Sequence, residues 1–299
     1  MQTPKVLQHS LKKQKQLFNN RELRPAKILV GRKMFYKTME KITSKANDRI
    51  KYAVKIRENA SFRKQENLFF AEGARLCYDA ASSGVPIAEL YVTEKALNKY
   101  SDYARLVEEK AERCFVVSEE VAEKLADTKG NQGVFCLCKM LDKNINIGKI
   151  KYNGKYIALE GVSNPANFGA VVRTAEAVGL DGVIVSGGCD IYNPKSQRAA
   201  MGSLFRLNVV EVESLPEALK ALAENGMSVL AGVPDSDAEK ITEVNMNGGV
   251  VAIIGNEGNG ITEETCSVAT KLVTIPMKGR AESLNAAAAA SIIIWEMMR

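Results

Sequence analysis

The run Val250-Val251-Ala252-Ile253-Ile254 passes without a polar residue into Gly255-Asn256-Glu257-Gly258-Asn259-Gly260. An apolar stretch of this length, closed by glycine, is the pattern of a strand covered on both faces, as in a parallel sheet. Lys271-Leu272-Val273-Thr274-Ile275-Pro276-Met277 is a second such run, stopped by proline, and Ser283-Leu284-Asn285 opens an alanine-rich helix that reaches the C-terminus. Polar residues just past such strands lie at the carboxyl edge of the sheet, where open α/β sheets bind ligands. Asn256, Glu257, Ser283 and Asn285 are therefore expected to gather at one edge.

Working back from this stretch, residues 156–299 read as one α/β series. Strands are expected at Tyr156–Glu160, Gly182–Ser186, Leu207–Val212 and Ser228–Val233, with helices at Asn167–Val178, Pro194–Ser203 and Leu215–Glu224. A smaller α/β unit is expected over 41–140, with strands near Leu68, Leu90, Cys114 and Gly133 and helices between them. Residues 141–155 lose the rhythm and read as a linker. Residues 1–40 are rich in Lys, Gln and Asn without a sustained apolar period, which predicts a flexible basic arm.

Composition narrows the chemistry. With 46% hydrophobic and 25% charged residues the chain fits a soluble globular protein. No run approaches the ~18 apolar residues of a membrane span, and no secretory signal opens the chain. His9, in the basic arm, is the only histidine, so a histidine triad, base or metal site inside the folded units is not expected. The six cysteines show no CxxC pair, which predicts free thiols in a reducing cytoplasm and no metal. Residues 1–64 carry 18 Lys/Arg against 4 Asp/Glu; the whole chain nets +6, so the remainder nets −8. A basic front on a slightly acidic body points to a polyanion met by the N-terminal part, the alternative being a tail that only aids solubility.

The spacing GxxGxG in 255–260 matches neither a dinucleotide fingerprint nor a P-loop, so its glycines are read as letting backbone approach a flat ligand closely. Together with Asn164-Pro165-Ala166-Asn167-Phe168-Gly169-Ala170-Val171-Val172-Arg173-Thr174 and with Ile275-Pro276-Met277 followed by Ser283-Leu284-Asn285, this loop completes a set of three ordered motifs. The set closely resembles the SpoU (TrmH-like) family of RNA 2′-O-ribose methyltransferases of the SPOUT superfamily. The resemblance is tight over 156–299. Over about 41–138 the chain also looks like that family's substrate-binding domain, through Ile42-Thr43-Ser44, Asn47, Ile50-Lys51 and Phe70-Ala71-Glu72-Gly73.

The resemblance implies an α/β, SPOUT-type methyltransferase domain with a C-terminal trefoil knot, preceded by a small α/β substrate-binding domain. It implies S-adenosyl-L-methionine as cofactor, RNA as substrate and a homodimer whose active site borrows from both subunits. By matching position, Gly255, Ile275, Met277 and Leu284 are the expected cofactor-binding residues. Asn167, Arg173, Glu257, Ser283 and Asn285 are the expected catalytic or substrate-positioning residues.

Each residue also has a plainer reading. That of Arg173 is an ion pair with Glu176 at i+3, although no second carboxylate neighbours it. In the functional reading it grips the target phosphate and stabilises a forming alkoxide, since guanidinium does not give up its proton. Glu257, directly after a strand, is expected to orient Arg173. Asn167 and Ser283 have helix capping as their plain roles; Asn285 beside an alanine run is harder to explain structurally.

Phosphate contacts are expected from Arg49, Lys51, Lys55, Arg57, Arg63 and Lys64 in the smaller domain. Ribosomal RNA is the favoured substrate. A tRNA methylase and an rRNA methylase conferring antibiotic resistance are the alternatives within the class, and a non-catalytic RNA-binding assembly factor is the alternative from outside it.

Overall fold

A computed structural model describes residues 39–141 and 150–299. All but the last two residues of the expected arm lie outside these, as do residues 142–149 of the expected linker. Where that linker is described, Ile150 is buried and residues 151–153 are exposed, and Gly154 donates to the Lys151 carbonyl (2.8 Å) in a turn entering the next strand.

In the N-terminal half the chain runs β1 (Glu40–Ile42), α1 (Asp48–Glu58), α2 (Ala60–Glu66), β2 (Leu68–Glu72), α3 (Ala74–Ser82) and β3 (Ile87–Thr93). It continues through α4 (Glu94–Lys99), α5 (Ser101–Lys110), β4 (Ala111–Val117), α6 (Glu119–Leu125) and β5 (Val134–Lys139). The strands form a sheet in the order β1-β4-β3-β5-β2, in which β5 runs against both its neighbours. α6 begins with Ser118 capping the Val121 amide and Val121 turned inward. β1, α2 and α4 are additions to the sequence reading. α2 has no apolar period; Asn59 starts it by accepting the Phe62 amide (2.8 Å), and Asn67 stops it in the left-handed conformation (φ 52°).

The C-terminal half runs β6 (Lys155–Glu160), α7 (Pro165–Val178), β7 (Gly182–Ser186), α8 (Pro194–Ala200), α9 (Ser203–Arg206), β8 (Asn208–Glu211) and α10 (Leu215–Glu224). β9 (Ser228–Gly232), β10 (Glu239–Lys240), β11 (Val250–Ile254), α11 (Glu263–Ser267), β12 (Lys271–Thr274) and α12 (Ala286–Met298) complete it. Its seven strands are all parallel, in the order β10-β12-β9-β11-β6-β7-β8. Alternate residues of β11 serve opposite faces. Val250, Ala252 and Ile254 pack with Phe168, Val172 and Ile293 beneath α7 and α12, while Val251 and Ile253 pack with Leu219 and Leu222 of α10. Each large side chain buried this way contributes about 1.5–3 kcal/mol, which is why an unbroken apolar run is needed here.

Two expected elements are redrawn. The single helix expected over Pro194–Ser203 is broken by Met201 (φ 50°) and Gly202 (φ 79°). A Cβ on Gly202 would stand 2.6 Å from an Asp79 carboxylate oxygen of the N-terminal half. The last helix starts at Ala286 rather than at Ser283, and Asn285 is its cap.

The two halves share a core. Phe69 of β2 stacks on Tyr192 (4.8 Å between centroids) and on Phe205 (5.9 Å), and Gln197 of α8 donates to the Phe70 carbonyl (3.0 Å). That bond covers the free edge of β2, the outermost strand of its sheet.

Candidate active site

Strands β9, β11 and β12 end side by side, and the segments that follow them enclose a cavity of about 610 Å³. Its walls are Gly232-Val233-Pro234 after β9, the whole of 255–260 after β11, Ile275 and Met277 after β12, and Ser283–Ala286 with Ala289 and Ile293. The volume falls within the range of about 300–1,000 Å³ typical of small-molecule sites. The expected cofactor residues Gly255, Ile275, Met277 and Leu284 all line it.

The loop 255–260 is closed by its own backbone. Asn256 and Gly260 exchange amide–carbonyl bonds (2.9 and 3.0 Å), and the Asn256 side chain accepts the Gly258 and Asn259 amides while donating to the Gly161 carbonyl (2.7 Å). A Cβ on Gly255 would lie 2.1 Å from the Gly260 carbonyl carbon. Gly255 is therefore required by loop closure as well as by the cavity wall. Asn256 is a site residue that sequence reasoning did not weigh individually. Glu160 at the end of β6, outside the cavity wall, braces the segment after this loop by accepting the Thr262 amide (2.9 Å) and the hydroxyls of Thr262 and Thr265 (2.8 and 2.6 Å).

Glu257 is exposed, yet its carboxylate is saturated. One oxygen accepts the Ser163 amide and hydroxyl (3.1 and 3.0 Å); the other accepts the Asn164 amide (3.1 Å) and Asn167 Nδ2 (2.8 Å). Partial burial pushes this carboxyl up. The bonds from Asn167 and from nearby backbone amides outweigh that effect and bring it from 4.5 down to about 2. Within the chain its partners are Ser163, Asn164 and Asn167, at and just before the start of α7, and Arg173 is not among them.

Asn167 is buried and passes the connection on, its Oδ1 accepting Asn285 Nδ2 (3.1 Å). It is not the cap of its helix, because Asn164 caps α7 by accepting the Ala166 amide (2.9 Å), with Pro165 at the first helical position. Asn285 in turn caps α12, its Oδ1 accepting the Ala287 and Ala288 amides (3.0 and 3.3 Å). Capping, expected of Ser283, belongs to Asn285. Ser283 lines the cavity mouth and is exposed.

Arg173 stands apart from this group. It is exposed on α7, is not part of the cavity wall and has no ion pair among the described residues. The plain partner, Glu176, is taken by Arg206 (2.9 Å) and by the Ser203 hydroxyl (3.1 Å).

The six cations expected to meet phosphate divide into two sets. Arg63 is 2% exposed and bonds Asp190 and the carbonyls of Ile56 and Arg57 (2.7 Å each), so it is removed from the phosphate-binding set. Arg57 is committed to Glu58 and to the carbonyls that end α6. Arg49 lies 4.6 Å from the Phe115 ring centre and bonds the buried Glu89 (2.5 Å), which Tyr91 and Arg113 also contact. Burial, then the Glu89 contact, push the Tyr91 phenol up, so the network stays protonated at that end. Lys51, Lys55 and Lys64 remain exposed; Lys51 pairs only with Asp48 at i+3, and Lys55 lies 3.8 Å above the Phe62 ring.

Comparison with known proteins adds a second line of information. Residues 154–295 match the SpoU rRNA Methylase family, and residues 47–136 match the MRM3-like substrate binding domain. The chain is 28% identical to a Bacillus subtilis protein named 23S rRNA (guanosine(2553)-2'-O)-methyltransferase RlmP, over 87% of this chain and 99% of that one. It is 30% identical to the Bordetella pertussis 23S rRNA (guanosine-2'-O-)-methyltransferase RlmB, over 77% of this chain and 95% of the other. Among solved structures, an AdoMet-bound rRNA methyltransferase from Sinorhizobium meliloti superposes with a TM-score of 0.78 at 26% identity, covering 87% of this chain and 97% of that chain.

Proposed function

This chain belongs to the SpoU rRNA methylase family, and from that premise we propose that it transfers a methyl group from S-adenosyl-L-methionine to a ribose 2′-oxygen of ribosomal RNA. The observation that carries the reading is the bonded chain Glu257–Asn167–Asn285, which ties three distant segments together beside a cavity of small-molecule size. The cavity suits the cofactor: its walls combine apolar side chains (Ile275, Met277, Leu284), backbone from loops that glycine keeps narrow, and polar groups at Asn256, Ser283 and Asn285, apt for a flat base and a charged amino-acid chain. Gly255, Ile275, Met277 and Leu284 would hold it. Bound there, the cofactor supplies an electrophilic sulfonium methyl carbon.

The protein's own residues then have three tasks. The first is positioning, which can account for several kcal/mol of the barrier (about 7–11 in well-oriented systems). The Glu257 anchor serves it by fixing the start of α7 against the cap of α12. A carboxyl brought down to about 2 is a poor proton acceptor, so Glu257 acts as an anchor and not as the base. The second task is stabilising negative charge as the 2′-hydroxyl loses its proton to solvent and its oxygen takes the methyl. Arg173, always cationic, is the group for that. The third is holding the RNA backbone, which falls to Lys51, Lys55 and Lys64.

Arg173 lies outside the cavity wall of its own chain, and this supports a homodimer in which it serves the partner's site. Ile292 (39% exposed) and Trp295 (61%) form an apolar stripe on α12, which packs against α7, and supply a surface for that contact. A trefoil knot belongs to the same reading. Its support is the path from β12, near one side of the sheet, past the ends of β9 and β11 to α12 packed on α7. With ribosomal RNA as substrate, the site of action is the cytoplasm.

The test is methyl transfer in vitro from labelled S-adenosyl-L-methionine to ribosomal RNA and, separately, to tRNA, followed by digestion to nucleosides. Label in 2′-O-methylated nucleosides from ribosomal RNA is the expected result. Label confined to bases, to tRNA, or absent with RNA still bound would overturn the reading.

A further inference from the structure

Arg63, expected on the surface, lies in the interior. Its Nε and Nη2 both bond Asp190 Oδ2 (2.9 and 2.5 Å), and its Nη1 bonds the Ile56 and Arg57 carbonyls at the end of α1. It thus pins α1 and α2 of the N-terminal half to the segment that follows β7. A buried ion pair is weak evidence for stability, because the desolvation cost offsets most of the attraction. Two domains that already share Phe69, Tyr192 and Phe205 need no ion pair merely to adhere. What a guanidinium fork adds is direction, since its donors fix angle as well as distance.

The segment it fixes leads to the active site. Asp190 Oδ1 accepts the Tyr192 amide (2.8 Å) and its carbonyl accepts the Ser196 hydroxyl (3.1 Å), so the Asp190 turn is rigid. The adjacent Cys189 amide donates to the Val162 carbonyl (2.9 Å). Gly188 lies so close to that carbonyl that a Cβ would stand 2.3 Å from its oxygen. Val162 is followed by Ser163 and Asn164, whose amides hold Glu257.

We propose that Arg63 and Asp190 are positioning residues for methyl transfer. They hold the Val162–Asn164 backbone in the register that lets Glu257 orient Asn167 and Asn285, and so make the seating of the RNA-handling half a condition of catalysis. This rests on the proposed methyltransferase function. It assigns Arg63 a role in turnover and none in gripping RNA.

The experiment measures transfer to ribosomal RNA by the full-length wild type, Arg63→Met, Arg63→Lys and Asp190→Asn, with kcat normalised to the number of S-adenosyl-L-methionine sites counted by calorimetry. The expected result for Arg63→Met is a kcat lowered about 10- to 100-fold, as for a small misplacement of reacting groups. KM for RNA should stay within about threefold of wild type, and Arg63→Lys, which keeps one charged donor, should recover part of the loss. If Arg63→Met does not fold, Asp190→Asn decides by the same kcat criterion. A kcat per site equal to wild type means the pair is only structural and overturns the proposal. A raised KM for RNA with kcat intact overturns it too, since Arg63 would then act on RNA. Failure of the wild type itself to transfer methyl would instead overturn the function from which the proposal starts.

Discussion

Arg49, Arg57 and Arg63 in the N-terminal half each bond partners within the fold, whereas Arg173 in the C-terminal half has none among the described residues. All four are arginines on helices. The difference lies in what surrounds them. α1 and α6 end with open carbonyls near Arg57 and Arg63, and buried or half-buried carboxylates at Glu89 and Asp190 require a counter-charge. Around Arg173, Gly169, Ala170 and Ala177 offer no acceptor and Glu176 is taken. A count of positive residues therefore gives the field a protein presents to a polyanion, and says little about which side chains remain free to touch it.

The sharpest way to break this contrast is Arg173→Ala beside Arg57→Ala. Arg173→Ala should lower kcat by about 10²–10³-fold or more, the scale for removing one charge-stabilising donor, with cofactor affinity in calorimetry unchanged. Arg57→Ala should lower Tm and leave turnover per folded molecule intact. Equal effects on turnover would erase the distinction.

Next in size is Glu257→Gln, whose amide would face the Ser163 and Asn164 N–H groups with a donor of its own. A fall of about tenfold or more in kcat is expected from loosened positioning. Because folding lowers this carboxyl from 4.5 to about 2, its bonds contribute stability that is complete above about pH 4.5 and is lost as the pH falls toward 2. The Tm difference between wild type and Glu257→Gln should accordingly be constant above pH 4.5 and shrink below it. A difference that grows on acidification would contradict the anchor.

A triple change of Lys51, Lys55 and Lys64 to Gln tests the free set. RNA affinity should fall by about tenfold with little change between RNA sequences, and the salt dependence should flatten by about one unit of slope for each phosphate no longer neutralised. The smallest effect expected is that of Asn285→Ala on stability, about 1 kcal/mol for a missing cap, read as a lower Tm. Asn285→Asp should retain the cap and lose the donor to Asn167, separating the two duties of this side chain.

Much of the C-terminal half is legible from residues because its signals are local. Gly182–Ser186, Leu215–Glu224 and Val250–Ile254 carry an apolar run or a cap at each boundary and appear as read. The meeting of Glu257, Asn167 and Asn285 is legible only through the order of the motifs, since partners about ninety or more positions apart leave no periodic trace. Arg63 is illegible for the same reason: its helix shows no apolar period and its carboxylate lies 127 positions away. The start of α12 is misjudged because Ser283 also carries a capping side chain, whereas it is Asn285 that accepts the Ala287 and Ala288 amides and Ser283 lines the cavity. At the break, Gly202 takes a left-handed conformation and has no room for a Cβ beside Asp79 of the other half, a neighbour that no local pattern announces.

Gln197 covering the edge of β2 has a practical consequence for anyone dissecting the molecule. A fragment ending near residue 141 would lose that cover together with Tyr192 and Phe205, leaving the outer edge of β2 bare beside Phe69. Such an edge invites strand-to-strand sticking between copies. The isolated N-terminal half should therefore precipitate on expression unless a hydrophilic replacement shields that strand.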